Sequence, residues 1–285
     1  MIEVLSRGLY TSIQDLGRFG FRRNGVPLSG VMDRYSAILA NRLVGNSEQE
    51  AVLEITHIGP VLHFKSTTEI AITGAGFTPT LNDLKVPLNT RTYVPENSIL
   101  KFGHPSYGLR AYLSVSGGFI SEKKLGSYSQ YSGITQKETI EKGDLLSLSP
   151  SEGIPLKITA SVKVPRRHFS SESIEVFAGP DYHLLPKEIQ KNISEAKVTV
   201  TSQSNRMGYL LAGWEGLSAK GIITAPVQPG TVQLTPSGQC VVLMRDAQTT
   251  GGYARVFQLT EKAVNIMSQK RAGASLHFKL VDQPK

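Results

Sequence analysis

The stretch Arg245-Asp246-Ala247-Gln248-Thr249-Thr250-Gly251-Gly252-Tyr253 places two charges, an amide, two hydroxyls and a glycine pair directly after the apolar run Cys240-Val241-Val242-Leu243-Met244. The run predicts a strand buried on both faces, and convergent polar groups at the end of such a strand are where small-molecule sites form. Asp246 is the strongest candidate for a catalytic carboxylate. Gln248 offers both a donor and an acceptor, which suits an amide, lactam or ureido group. Tyr253 could donate to an oxyanion. Thr249 and the backbone at Gly251 and Gly252 complete a candidate substrate loop, because glycine lets a ligand approach the main chain closely. The competing reading is a tight turn whose polar groups satisfy buried backbone.

Two further clusters carry suitable side chains. Thr11-Ser12-Ile13-Gln14-Asp15-Leu16-Gly17-Arg18 brings an amide, a carboxylate and a guanidinium within five positions. The glycines and proline that follow predict an extended loop running to Ser29-Gly30-Val31-Met32-Asp33. In a functional reading Arg18 holds an anion, Gln14 contacts substrate and Asp15 is a base or an orienter. In a structural reading the loop is held by its own side-chain hydrogen bonds, with Asp33 near a helix start. Ser204-Asn205-Arg206-Met207-Gly208-Tyr209 offers Arg206, which could grip a carboxylate or phosphate in forked geometry or sit in a solvated turn.

Several chemistries lack their patterns. Gly74-Ala75-Gly76 has no downstream glycine and helix of a dinucleotide fingerprint, and Gly103 to Gly108 is not followed by the Lys-Ser/Thr of a phosphate loop. The six histidines show no metal-ligand spacing, so no metal is expected. No Gly-x-Ser-x-Gly elbow is present.

The elements that must position these clusters are mostly short strands ended by Gly, Pro, Asn or Ser. Glu69–Thr73, 98–102, 109–115, 144–148 and 173–177 are examples, and their spacing argues for an all-β barrel or sandwich. Helices are expected from Asp33 to Val44, with Met32, Tyr35, Leu39 and Leu43 on one face and Gly45 ending it, from Pro186 to Ala196, and from a Thr260 cap to Gln269. Pro150-Ser151-Glu152-Gly153-Ile154-Pro155 reads as a link, dividing the chain into residues 1–150 and 151–285.

The 285 residues carry a net charge of +8, with 40% hydrophobic residues. Such a chain can bury a packed core. Its basic residues are scattered, and the densest spots, Arg22-Arg23, Pro165-Arg166-Arg167-His168 and Lys270-Arg271, are too short to form a nucleic-acid groove alone. No long apolar run indicates a membrane span, and the start lacks a signal-peptide pattern, so a cytoplasmic protein is expected. The single cysteine, Cys240, is expected to pack as a core thiol.

Taken together, Thr11–Arg18, Gly25–Asp33, Leu39–Asn46, Leu53-Glu54 with Gly59-Pro60, Thr73–Ala75, Arg110–Leu113 with Gly117-Gly118, Ser204–Gly208 and the loop through Tyr253 resemble the biotin-dependent carboxyltransferase-related family, also called allophanate hydrolase subunit 2. The matching stretches run across nearly the whole chain in family order. The resemblance implies two cyclophilin-like β-barrel domains with a few short helices. It implies membership of an ATP-dependent 5-oxoprolinase as its C subunit, opening 5-oxoproline to glutamate with a KipI-like B subunit and a LamB/YcsF-like A subunit. Under that reading ATP is required at the level of the complex, and the chain alone is expected to be inactive. Arg18 or Arg206 would hold the substrate carboxylate, Gln14, Gln248 or the loop backbone the lactam, and Asp246 or Asp15 the attacking water. Two alternatives accompany it: a KipA-like regulator that binds a KipI-like inhibitor of a histidine kinase, and half of a carboxyltransferase acting on a urea-like amide. The last would need a separate biotin carrier, since no Met-Lys-Met acceptor segment is present. One stretch departs from the family: after Leu125-Gly126-Ser127, where an arginine and a Ser-Thr pair are expected, the chain reads Tyr128-Ser129-Gln130-Tyr131-Ser132-Gly133.

Overall fold

The computed structural model describes residues 1–150, 161–192, 195–214, 217 and 219–282. Mainly β architecture is observed, as the strand spacing predicts. The chain divides into two compact units. The first comprises Met1–Arg18 with Ser29–Arg166, the second Phe19–Leu28 with Arg167–Lys285. The predicted link at 150–155 lies, from 151 on, outside the described residues. Residues 19–28 join the second unit although their sequence neighbours on both sides belong to the first.

Among the described residues, the strands of the first unit form two sheets rather than the closed ring expected there, and those of the second unit close into a ring. Ile2–Ser6 and Val61–Phe64 lie near the middle of a seven-stranded sheet, and Val52–Thr56, Arg110–Val115 and Thr68–Gly74 are central in a five-stranded one. Alternate residues of both sheets, including Ile2, Val4, Leu53, Ile55, Phe64, Ile72, Leu113 and Val115, meet in one apolar core. This is the arrangement that period-2 patterning produces when each sheet buries one face.

The helix Arg34–Val44 packs on the strands Thr68–Gly74 and Arg110–Val115. Asp33 caps it through a hydrogen bond from the Ser36 amide, and Gly45 ends it in the left-handed region. Its buried face differs from the apolar stripe expected. Ser36, Ala37, Ala40, Asn41, Leu43 and Val44 are buried, whereas Tyr35 is exposed and Leu39 half-buried. Small residues let the helix lie close to the sheet, and that advantage outweighs the extra area of Tyr35.

The second unit is a closed barrel in the order Ser173–Ala178, Ala254–Leu259, Thr231–Leu234, Cys240–Leu243, Gly208–Ala212, Lys197–Val200 and Ser275–Leu280. All pairings are antiparallel except the closing one between the first and last of these strands. Phe257 and Phe278 pack with ring centroids 5.4 Å apart, and Trp214 and Tyr182 contact the same cluster. Cys240 is buried in the barrel, where desolvation pushes its thiol far up, so it packs rather than reacts. Thr260 caps the helix Glu261–Ser268 as expected, and Lys187–Asn192 is helical within the expected span, of which residues 193 and 194 lie outside the described residues. No helix among the described residues is long and apolar enough to cross a membrane.

Candidate functional site

Gln14, Asp15 and Arg18 belong to the first unit and converge on residues 124–130. Asp15 is 7% exposed. Its Oδ1 accepts from the Gly17 amide at 2.8 Å, from Ser127 Oγ at 2.6 Å and from Ser129 Oγ at 2.7 Å, and its Oδ2 accepts from the Tyr128 amide at 2.7 Å. Arg18 is fully buried and donates to the carbonyls of Lys124 and Ser129. Gln14 Nε2 donates to Ser12 Oγ and to the Gln130 carbonyl, while Gln130 Oε1 accepts from the Ile13 amide at 2.9 Å. A carboxylate taking four hydrogen bonds and a guanidinium committed to two carbonyls are fastening groups, and they clamp residues 124–130 against residues 13–18. Within this unit the structural reading of the cluster therefore describes the geometry better than the base and anion-gripper reading.

The same loop is pinned from its other side. The Val31 amide donates to the Asp15 carbonyl at 2.8 Å. Gly30 has φ +87°, and a Cβ there would lie 2.8 Å from the Gly17 nitrogen. Only glycine fits both conditions.

A buried network escaped the sequence reading. Glu54 and Arg110 are almost fully buried and face each other at 3.6 Å. Glu54 Oε2 accepts from Tyr112 Oη at 2.9 Å and from the Met32 amide at 2.7 Å. Tyr112 Oη accepts in turn from the Asp33 amide. Burial pushes the Tyr112 hydroxyl well above its ordinary range, and the neighbouring Glu54 and Asp33 charges add to the shift. The network holds the entry of the helix Arg34–Val44 against the sheet. The signal for it was a charge in the middle of an apolar strand, Leu53-Glu54-Ile55.

In the second unit Arg206 and Asp246 find each other. Arg206 Nε donates to Asp246 Oδ2 at 2.7 Å and Nη2 to Oδ1 at 3.1 Å, a forked pair with both side chains buried. The Asp246 amide also donates to the Arg206 carbonyl at 3.0 Å. Arg206 thus has the forked partner that its sequence setting suggested, but the partner is an internal carboxylate. Arg245, also buried, pairs with Glu261 at the start of the last helix at 2.5 Å.

Past this anchor the loop opens outward. Gln248 and Tyr253 are exposed, and Thr249 is half-buried. Thr250–Gly251 pairs with Ala225–Pro226, and the carbonyls of Thr249 and Gly252 accept from the amides of Val227 and Ile222. A Cβ on Gly251 would lie 2.7 Å from Gln233 Nε2, so this glycine marks a close approach.

Thr249 and Thr250 form part of the wall of a cleft of about 750 Å³ that lies wholly within the second unit. Arg22 and Arg23, from the short 3-10 turn Arg22–Asn24, line it, as do Arg255, Gln228, Thr231 and Gln258. Arg255 is fixed by Asp181, whose Oδ2 accepts from the Arg255 amide at 2.9 Å and from Nε at 3.0 Å. Burial raises the Asp181 carboxyl, but the Arg255 amide and guanidinium outweigh it and hold the group below its ordinary value. Of the cleft residues, sequence reasoning singled out Thr249 and noticed Arg22-Arg23 only as a basic spot. Arg255 and Gln258 lie on the strand Ala254–Leu259, whose sequence shows no motif.

Residues 24–280 match the carboxyltransferase domain family, subdomain A and B. The C subunit of 5-oxoprolinase from Escherichia coli strain K12 is 32% identical over 284 residues, which cover 98% of this chain and 90% of that protein. The urea amidolyase of Saccharomyces cerevisiae is 31% identical over 303 residues, covering 97% of this chain but 16% of that protein. Among solved structures, the Kluyveromyces lactis urea carboxylase superposes with a TM-score of 0.88 at 31% identity, over 99% of this chain and 27% of that one.

Proposed function

Because this chain belongs to the carboxyltransferase domain family, subdomain A and B, we propose that it is the C subunit of an ATP-dependent 5-oxoprolinase. The observation that carries the proposal is the near end-to-end correspondence with a subunit of that name, 98% of one chain against 90% of the other. A match of whole chain to whole chain supports the same division of labour better than a match to a small part of a large protein. In this reading the enzyme is completed in the cytoplasm by a KipI-like B subunit and a LamB/YcsF-like A subunit, and the isolated chain is inactive.

The lactam must be opened by water after its oxygen is activated, and ATP supplies the phosphoryl group for that activation. On this chain the exposed Gln248 amide is suited to the lactam, and the Tyr253 hydroxyl to charge developing on its oxygen. Asp246 fixes the base of their loop through Arg206, so we assign it a positioning role ahead of a proton-accepting one. Asp15 and Arg18 hold the 124–130 loop in the same sense.

Co-purification with A- and B-type partners, followed by an assay for glutamate from 5-oxoproline and ATP, tests the proposal. ATP-dependent glutamate formation that requires all three chains is expected. An assembled complex that forms none, while carboxylating urea from a carboxybiotin carrier, would replace this reading with carboxyl transfer, which the urea carboxylase likeness supports. Tight binding to the B-type partner with no turnover of any amide would point instead to a KipA-like regulator.

A further inference from the structure

We propose that the cleft of the second unit binds the phosphate chain of a nucleotide, with Arg22 and Arg23 as its principal anchors. The identification of a nucleotide rests on the ATP-dependent reading above. That of a polyanion site rests on the cleft alone.

The charge inventory is one-sided. Among the described residues, no carboxylate lines the cleft. Arg22 and Arg23 form no ion pair and no side-chain hydrogen bond among the described residues. Arg255 is committed through Nε to Asp181 and through Nη1 to the Pro226 carbonyl, which leaves Nη2 uncommitted among the described residues. The hydroxyls of Thr249 and Thr250 likewise have no partner among the described residues. The Arg22 and Arg23 guanidinium groups, gathered with these hydroxyls and without a counter-charge of their own, suit an anion held by forked, charge-assisted hydrogen bonds.

Size and charge then decide the class. A volume of about 750 Å³ is that of a site for a ligand of nucleotide size. A small monocarboxylate such as 5-oxoproline would fill little of it and neutralise one guanidinium. A polyphosphate carries several negative charges along its length and meets all three arginines. Apolar surface from Val227 and Pro226 offers a wall for a base or sugar.

The test uses the full chain, titrated calorimetrically with ATP, ADP, inorganic pyrophosphate, inorganic phosphate and 5-oxoproline. The sole tryptophan, Trp214, contacts Phe257, a residue of the cleft, and its fluorescence gives a second readout. Binding of ATP and pyrophosphate is expected, falling as salt rises, with inorganic phosphate and 5-oxoproline far weaker. The R22A/R23A double variant should lose about tenfold or more in ATP affinity. Both side chains lie outside the core, and an unchanged circular dichroism spectrum would show that the variant folds. Lys142→Ala, an exposed change in the first unit, should bind as the parent does. Binding of pyrophosphate but not of ATP would overturn the nucleotide assignment. Absence of both ATP and pyrophosphate binding by the parent chain, or unchanged ATP affinity in R22A/R23A, would overturn the site itself. A reconstituted complex that makes glutamate normally with R22A/R23A would sink this inference and leave the oxoprolinase reading standing. Nucleotide binding at the cleft in a complex that makes no glutamate would do the reverse.

Discussion

Arg206 and Asp246, separated by forty positions in sequence, share two parallel hydrogen bonds while both side chains are buried. Each charge was taken out of water to make the pair, so each depends on the other.

Removing one partner leaves the other charge buried and unmatched. Asp246→Ala and Arg206→Ala should therefore each lower the unfolding free energy by about 3–5 kcal/mol. The double change should cost clearly less than the two single effects summed. Urea denaturation of the parent and three variants measures this. Strict additivity would show that the pair contributes no coupling.

Asp15→Ala should release the 124–130 loop. Four donors lose a charged acceptor, and a loss of about 2–4 kcal/mol is expected. Amide hydrogen exchange at Tyr128 is the specific readout. Unchanged protection there would remove Asp15 as the fastener.

The two close-packed glycines should respond unequally. Gly30→Ala meets backbone at 2.8 Å and an unfavourable positive φ, neither of which yields easily. A cost above about 2 kcal/mol is expected. At Gly251 the obstacle is the end of the Gln233 side chain, which can swing aside, so the cost should be about 1 kcal/mol. Thermal unfolding of the two variants decides the order.

Acid should weaken the Asp181–Arg255 link. The folded carboxyl sits below its ordinary value of 3.8, so it contributes stability above that value and loses it as pH falls through the lower, folded one. The stability gap between the parent and Asp181→Asn should hold steady down to about pH 4 and close below it. A gap that persists undiminished at lower pH would mean that ionisation of Asp181 is not its source.

The strands were legible because their chemistry is local. Thr68–Gly74, Arg110–Val115 and Ser173–Ala178 fall where apolar runs end in glycine, or in Ala-Gly, and both capped helices begin at the residue expected. The face of the helix Arg34–Val44 was not legible, since a choice between Tyr35 and Ala40 depends on how closely a distant sheet approaches. The site divided in the same way. Polar residues were found where they cluster in sequence, but whether Asp246 meets a ligand or Arg206 is decided by a residue forty positions away. The cleft was least visible, because Arg22, Arg23 and Arg255 come from opposite ends of the chain and only Arg22 and Arg23 are neighbours.

The detour of residues 19–28 into the second unit has a consequence for how this protein can be dissected. No single cut frees the second unit whole, although all seven barrel strands follow Arg167. A fragment starting at Arg167 would retain Arg255 and both threonines yet leave two cations behind with the discarded portion. Any gene rearrangement that inherits the barrel as a simple module must therefore inherit it without Arg22 and Arg23.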